Sequence, residues 1–356
     1  MSTPPTVAVN ARFVTQDLTG VQRYAHEVVS RLAQSGGMRV LLLVPPGEIV
    51  ELSPGEQTPL RPDTRWWGMA GHRWEQTRLR SLFGRSGAKV LLSPGGWGPL
   101  TVRAQLPVIY DIHPLLHPEY FARDYVRMAR LSTPILVRVS RRLVAISGRV
   151  RDQLVEHLRV DPSRVDIVPP AVGPPFTGRT LHDIDTRSSN HCLFVGGDKA
   201  QKNLAFVAGF WPEVHRLLGL ELWVTERAVP SRVMDDLGEL PGVVRLRDPS
   251  DEELVEAYAG ALCLLWPSIA EGFGIPLLEA MAVGTPFLSS DVGAARELAV
   301  LPEQVLPLEP DSWVRQLKSW RYQDLGELRR RGAERARKAT WERSADGLAS
   351  ALRPLL

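Results

Sequence analysis

The side chains best suited by type and spacing to grip a phosphorylated, hydroxyl-rich ligand are Lys199, Lys202, Glu271 and Glu279. Both lysines fall in FVGGDKAQKNL (194–204), where a strand-like run ends at Gly196–Gly197 and a helix opens near Asn203. Glycines let backbone N–H groups approach an anion, and a helix N-terminus adds positive potential. Of 43 lysines and arginines only Lys89, Lys199, Lys202, Lys318 and Lys338 are lysines. Two compact ammonium charges in one loop suggest phosphate binding; a surface turn carrying lysines for solubility is the competing reading. The two glutamates stand eight apart in EGFGIPLLEAMAVGTP. Glu271 precedes a helix start, where an acid is commonly stabilising, and Gly272 and Gly274 flank Phe273 so that backbone N–H groups face a ligand. Glu279 lies between Leu277–Leu278 and Ala280–Met281. An unpaired carboxylate there is costly, so it needs a cleft, a cation or hydroxyl donors. A ribose offers two hydroxyls and a sugar several.

The first half carries a parallel set. In TGVQRYAHEV (19–28), Gly20 lets a substrate approach a helix N-terminus and Arg23 can meet an anionic group. Equally, Thr19 is a good N-cap and the pair can be that alone. VIYDIHPLLHPEYF (108–121) sets Tyr110, Asp111, His113 and His117 just after a strand. Asp111 there either holds an acceptor hydroxyl or orders the loop. His113 and His117 are four apart, but Pro114 and Pro118 argue against a helix, so no zinc site is expected. His117 reads as structural.

These residues need elements to place them. Runs at 6–9, 39–44, 89–92, 107–110, 142–146 and 164–168 read as buried strands, with helices at 20–34, 120–140 and 148–158 between them. A Pro-, Gly-, Ser- and Asp-rich segment follows, and strands resume at 191–195, 220–224, 243–246, 261–266, 286–289 and 304–307. Helices are expected at 203–217, 251–260, 274–283 and 311–320, then a helical tail broken at Thr340–Trp341. Strand–helix alternation implies α/β domains with parallel, doubly wound sheets whose ligands sit at the carboxyl ends of strands. The expected division is 1–172, a linker at 173–189, a second domain at 190–339 and a last helix at 340–356.

At 356 residues and 44% apolar composition, two cores can be buried. No run of about 18 uncharged apolar residues reads as a membrane span, and the start lacks a basic-then-apolar signal. Cys192 and Cys263 each sit in an apolar run. Buried free thiols in a reducing cytosol explain them, so a cytoplasmic location is expected. A net charge of +3 is too small to argue for nucleic acid. Arginines cluster at 73–85, 123–142 and 329–338. Two readings stand: solvated helix faces, or a surface drawn to anionic lipid headgroups or a lipid phosphate at the inner membrane face.

Taken together, these motifs resemble the retaining nucleotide-sugar glycosyltransferases of family 4. The resemblance rests on the E-x7-E pair Glu271–Glu279, the Lys202-Asn203-Leu204 loop and the first-helix pattern Thr19, Gly20, Arg23, Tyr24. YDIHPLLHPEYF, AISGRVRDQL (145–154) and DEELVEAYAGA (251–261) fit it too, so it covers nearly the whole chain. It implies the GT-B fold, two Rossmann-like domains facing each other across a cleft, with the last helix crossing back onto the first domain. It further implies that Lys202 neutralises the donor diphosphate and Glu271 contacts donor-sugar hydroxyls. Phe273 and Gly274 would place backbone amides near sugar and phosphate, with Ile275 next to them in the donor site. Glu279 would hold the ribose and Leu254 pack the base, with Gly196, Gly197, Lys199, Asn203 and Gly272 completing the donor site. Thr19, Gly20, Val21, Arg23 and Tyr110 would meet the acceptor beside a catalytic Asp111. Partners would be a nucleotide-sugar donor and a saccharide or lipid-linked acceptor. No cofactor or metal is expected, since no Asp-x-Asp pair suits Mg²⁺. Two departures stand out: Tyr110 replaces a histidine common in relatives, and Gly197 and Gln201 occupy places that often hold a loop arginine. They motivate the alternatives of a non-catalytic sugar-nucleotide-binding partner or, on the same fold, an epimerase. GDP-mannose is the favoured donor from the style of the first helix.

Overall fold

The computed structural model describes residues 4–178, 189–226 and 232–356; of the expected linker, residues 179–188 lie outside that set. The chain forms two compact units, Met1–Ala171 with Thr340–Leu356, and Val172–Ala339.

The first unit is built on seven strands, β1 (Thr6–Asn10), β2 (Arg39–Val44), β3 (Glu48–Leu52), β4 (Val90–Ser93), β5 (Gln105–Ile109), β6 (Leu143–Ala145) and β7 (Val165–Ile167). They lie in the order β3-β2-β1-β4-β5-β6-β7. Ala8 of β1 pairs with Leu41 on one side and Leu91 on the other, so Val7, Ala8 and Val9 are buried on both faces. That is why these strands read as unbroken apolar runs. All neighbours are parallel except β2 and β3, which are antiparallel. This edge strand, EIVEL, was not among those expected, because an exposed edge needs no apolar run. Its glutamates are paired outward, Glu51 with Arg39 and Glu48 with Arg61.

The helix Gly20–Gln34 buries Tyr24, Ala25, Val28, Val29 and Leu32 on one face. The C-terminal helix Trp341–Leu352 packs on it: Trp341 meets Tyr24 edge-on at 6.0 Å, and Glu342 accepts from Arg31 Nε at 2.7 Å. Ser344 Oγ also donates to the Pro169 carbonyl at 2.7 Å. Two helices missing from the sequence reading, Gly68–Gln76 and Arg78–Ser86, occupy the first arginine cluster. Trp74, Leu79 and Leu82 are their buried face, packed with Ala8 and Leu91, while Arg73, Arg78 and Arg80 are exposed.

The second unit has strands β8 (His191–Phe194), β9 (Glu221–Glu226), β10 (Val243–Arg247), β11 (Ala261–Trp266) and β12 (Phe287–Ser289), all parallel, ordered β10-β9-β8-β11-β12. The strand expected at 304–307 is not one. Pro302–Gln304 is a 3-10 turn, and only Val305 bridges to Ser289. Pro302 and Pro307 bracket the run and cannot donate to a ladder. Cys192 and Cys263 are buried free thiols with sulfurs 3.9 Å apart on neighbouring strands. Burial pushes the Cys263 thiol well above its ordinary value. Arg329, 8% exposed, ties Ser189, Ala261 and Gly284 together through its guanidinium. In each sheet the order reverses beside the central strand, between β1 and β4 and between β8 and β11. The loops leaving those strand pairs are therefore neighbours, and there ligands collect in such folds.

Candidate functional site

In the second unit the loop after β8 is shaped by two left-handed glycines, Gly196 (φ 137°) and Gly197 (φ 62°). A Cβ on Gly196 would stand 2.9–3.3 Å from Cγ, Cδ and Cε of Lys202, so the lysine stem lies across the glycine. The Gly196 N–H donates to Thr225 Oγ1 at 3.2 Å. The 3-10 turn Ala200–Lys202 is pinned to the loop after β11: the Ile269 N–H donates to the Gln201 carbonyl at 2.8 Å, and Asn203 Nδ2 to the Pro267 carbonyl at 3.2 Å. Asn203 is itself left-handed (φ 59°) and opens the helix Leu204–Leu218. Its amide thus braces the loop.

These contacts bring Lys202 to Glu271, 69 residues away, with Nζ 2.6 Å from Oε1 and each side chain 15% exposed. Nζ also stands 3.9 Å from the centroid of the Trp266 ring at the end of β11. Burial lowers the Lys202 pKa below its ordinary value, opposed by the charge and hydrogen bond of Glu271; Lys199 adds to the lowering and Glu279 to the opposition. Lys199 is exposed. The motifs alone imply separate tasks for Lys202 and Glu271; in the fold each is the other's counter-ion.

The Glu271–Gly274 loop ends at Gly274 (φ 97°), which caps the helix Ile275–Ala282. It is braced from outside by Gly293, where a Cβ would meet the Phe273 carbonyl oxygen at 2.5 Å and Glu271 Cβ at 3.1 Å. The next residue, Ala294, donates its N–H to that same carbonyl at 2.8 Å. Phe273 is buried, while Gly272 and Ile275 are half-buried. On the helix, Glu279 Oε2 accepts from the Tyr258 hydroxyl at 3.0 Å. The protein itself thus supplies one of the hydroxyl donors that Glu279 requires. Tyr258 is fully buried, which with the Glu279 charge pushes its pKa well up, and Phe176 packs edge-on against it at 5.9 Å. Leu254 joins Gly196, Gly197, Lys199, Thr225 and Asp248 in lining a cavity of about 590 Å³.

In the first unit Val21, Tyr110 and Asp111 line a cavity of about 140 Å³ with Gly96, Trp97 and Tyr125. The Tyr110 hydroxyl faces the backbone carbonyls of Pro94 at 2.6 Å and Val21 at 3.3 Å, and burial pushes its pKa well up. It ties two cavity walls together. Asp111 Oδ1 accepts from the His113 N–H at 2.9 Å. Thr19 caps the first helix by position, but its hydroxyl is engaged by the Gln22 side chain. Arg23, half-buried, has no ion-pair partner among the described residues, and Gly20 opens the helix beside it.

Contrary to expectation, the prolines at 114 and 118 do not prevent helical turns. His113–Leu116 is one α-turn and Pro118–Tyr120 one 3-10 turn, with the prolines at their N-terminal positions, where a missing N–H costs nothing. Among the described residues no three His, Cys, Asp or Glu side chains gather as metal ligands. Unforeseen was a buried polar cluster bracing the cavity wall: Asn10 Nδ2 donates to Glu75 Oε1 at 3.0 Å and to the Trp97 carbonyl at 2.9 Å. Arg12 Nε lies 3.4 Å from Glu75 Oε1, and His72 Nδ1 3.0 Å from Oε2. No motif marks it, because the partners are spread over residues 10–97.

Comparison with known proteins adds to this geometry. The family described as Glycosyltransferase Family 4 matches residues 18–174, and that described as Glycosyl transferases group 1 matches 241–339. The chain is similar to the O-antigen chain mannosyltransferase RfbU of Salmonella typhimurium, 28% identical over 69% of this chain and 68% of that protein. It is also similar to the D-inositol 3-phosphate glycosyltransferase of Segniliparus rotundus, 28% identical over 62% of this chain; the match spans about half, 54%, of that relative. The sucrose-phosphate synthase of Thermosynechococcus elongatus shares the fold, with a TM-score of 0.72 over 99% of both chains at 15% identity.

Proposed function

From a chain that belongs to the family 4 glycosyltransferases, we propose transfer of a hexose from a nucleotide-diphosphate sugar to a hydroxyl of a saccharide, glycolipid or natural-product acceptor. The observation that carries this reading is the sheltered Lys202 ammonium beside Glu271, on a glycine loop that also walls the 590 Å³ cavity. Breaking the bond between the sugar's anomeric carbon and the phosphate oxygen leaves charge on the diphosphate. A desolvated ammonium held in place is suited to stabilise that charge. In the proposal Lys202 exchanges Glu271 for the diphosphate, and Glu271 turns to the sugar hydroxyls. Glu279, held by Tyr258, takes the ribose, and Leu254 packs the base. The acceptor oxygen attacks the anomeric carbon from the face the phosphate leaves, and its proton passes to the leaving phosphate oxygen. Configuration is then retained without a metal. Asp111 in the first-unit cavity holds the acceptor. GDP-mannose is the favoured donor, in keeping with the mannosyltransferase relative.

A thermal-shift panel of GDP-, UDP-, ADP- and dTDP-sugars in a metal-free buffer tests this. A ligand at 100 times its dissociation constant stabilises by about 2.7 kcal/mol, so one nucleotide class should raise the melting temperature by degrees. No shift with any of the four contradicts the donor reading.

No helix among the described residues is long and apolar enough to cross a membrane. The helix Arg123–Val139 does expose Arg123, Arg127, Arg130 and Arg138 around Leu131, which is 71% exposed, and Ile135. The proposal includes contact of this face with an anionic membrane bearing the acceptor. Co-sedimentation with phosphatidylglycerol vesicles at low salt, lost with phosphatidylcholine, is expected; equal binding to both contradicts it.

A further inference from the structure

We infer that Trp266 is a positioning residue for Lys202: its ring face holds the ammonium in place while the ammonium exchanges Glu271 for the donor diphosphate. The inference rests on the reading that Lys202 binds that diphosphate. Trp266 ends β11 and is 1% exposed. Its indole N–H has no hydrogen-bond acceptor among the described residues, so the ring is not placed there by a hydrogen bond of its own. What the ring does meet is charge: Lys202 Nζ stands 3.9 Å from its centroid. A cation over an aromatic face is attracted by the ring quadrupole, and most strongly where water is excluded. The rest of the lysine is confined as well, its stem lying across Gly196 and its turn tied to the loop after β11. Of the contacts on Nζ, the Glu271 carboxylate is the one an arriving diphosphate displaces in the proposal, since two anions crowded at one ammonium repel each other. The Trp266 face competes with neither. It therefore keeps the charge in register through the exchange, and with it the orientation on which stabilisation of the leaving group depends.

Calorimetric titration with GDP, and UDP in parallel, into the full chain tests the inference. Trp266→Leu is expected to weaken binding about tenfold, in line with a desolvated cation–π contact. Trp266→Phe, which keeps an aromatic face, should recover most of that loss. Site-specific 5,7-difluorotryptophan at 266 preserves shape while draining the ring face, and should weaken binding about two- to threefold. This arm stands even if the leucine variant does not fold. The decisive arm is the double variant: in a Lys202→Ala background, Trp266→Leu should cost nothing further, because its effect passes through the lysine. Equal losses in both backgrounds, or full affinity in the leucine and difluoro forms, overturn the inference. Full affinity in Lys202→Ala alone overturns the underlying diphosphate assignment instead.

Discussion

Lys202→Ala is expected to lower turnover about 100- to 1000-fold, the range for removing one preorganised group from a developing oxyanion. The lysine is the sheltered ammonium of the glycine loop after β8, 15% exposed and already paired with a carboxylate. A flexible surface lysine such as Lys199 is hydrated and cannot replace it at the same distance. The fold should survive, because the loop stays pinned through Gln201 and Asn203 to the segment after β11. Glu271, left without its partner, keeps a route to water. Initial rates of nucleoside-diphosphate release, with far-ultraviolet circular dichroism as the folding control, measure this. A variant within about threefold of wild type contradicts the assignment. The pH profile adds a sign. Burial lowers the Lys202 pKa, so its protonated form is lost below the pH at which a free lysine titrates, about 10.4. Wild-type activity should therefore fall on the alkaline side before that value, and the residual activity of Lys202→Ala should lack this fall.

Glu75→Ala should destabilise the first unit by about 3–5 kcal/mol, the cost of breaking a buried ion pair and stranding its partner. Glu75 is 2% exposed and accepts from Asn10, with Arg12 and His72 beside it. Alanine leaves the Arg12 guanidinium, itself 7% exposed, without its counter-ion. The effect also has a pH sign. Burial pushes the Glu75 carboxyl up, but Arg12, His72 and Asn10 together outweigh it and hold the pKa below its ordinary value. A carboxyl depressed in the folded state contributes stability above its unfolded pKa, about 4.3. That contribution disappears as pH falls through the folded value. Urea unfolding from pH 7 down to pH 3 should show a large gap between wild type and Glu75→Gln at neutral pH that narrows under acid. GDP binding should persist in the variant, since the proposed donor residues belong to the other unit. A gap that does not change with pH contradicts the charge argument.

Much of the fold could be read from local pattern. The helices 20–34, 148–158 and 251–260 and the strands 39–44 and 261–266 have the limits their apolar spacing indicates. Two of these helices carry local start signals, Ser147 as an N-cap and a Ser250–Glu253 capping box. Pattern failed where exposure replaced burial, at edge strand β3, and where arginines masked a narrow apolar stripe in the helices at 68–86. It also misled at 304–307, where β-branched and leucine residues sit between prolines. The candidate donor site divides in the same way. Glycine, lysine and glutamate in two short motifs were visible, because each is a local loop-and-helix feature. Their pairing was not. It depends on β8 lying beside β11, a fact of sheet order that no local spacing records. Trp266, Tyr258 and Gly293 likewise act from outside those two short motifs, and each reads as ordinary core or turn until its neighbour is known. The first-helix candidates remained ambiguous in sequence because capping and ligand binding use the same residues. The structure spends the Thr19 hydroxyl on Gln22 and leaves Arg23 without an acidic partner among the described residues.

The proposed chemistry turns on one exchange at one ammonium. A crystal structure of the protein soaked with GDP, or with the nucleotide that the thermal panel selects, tests it most directly. The predicted result is a diphosphate oxygen about 2.7–2.9 Å from Lys202 Nζ, with the Glu271 carboxylate detached and Nζ still over the Trp266 ring. A nucleotide bound away from Lys202, or a Lys202–Glu271 pair that stays closed with the diphosphate in place, would contradict it.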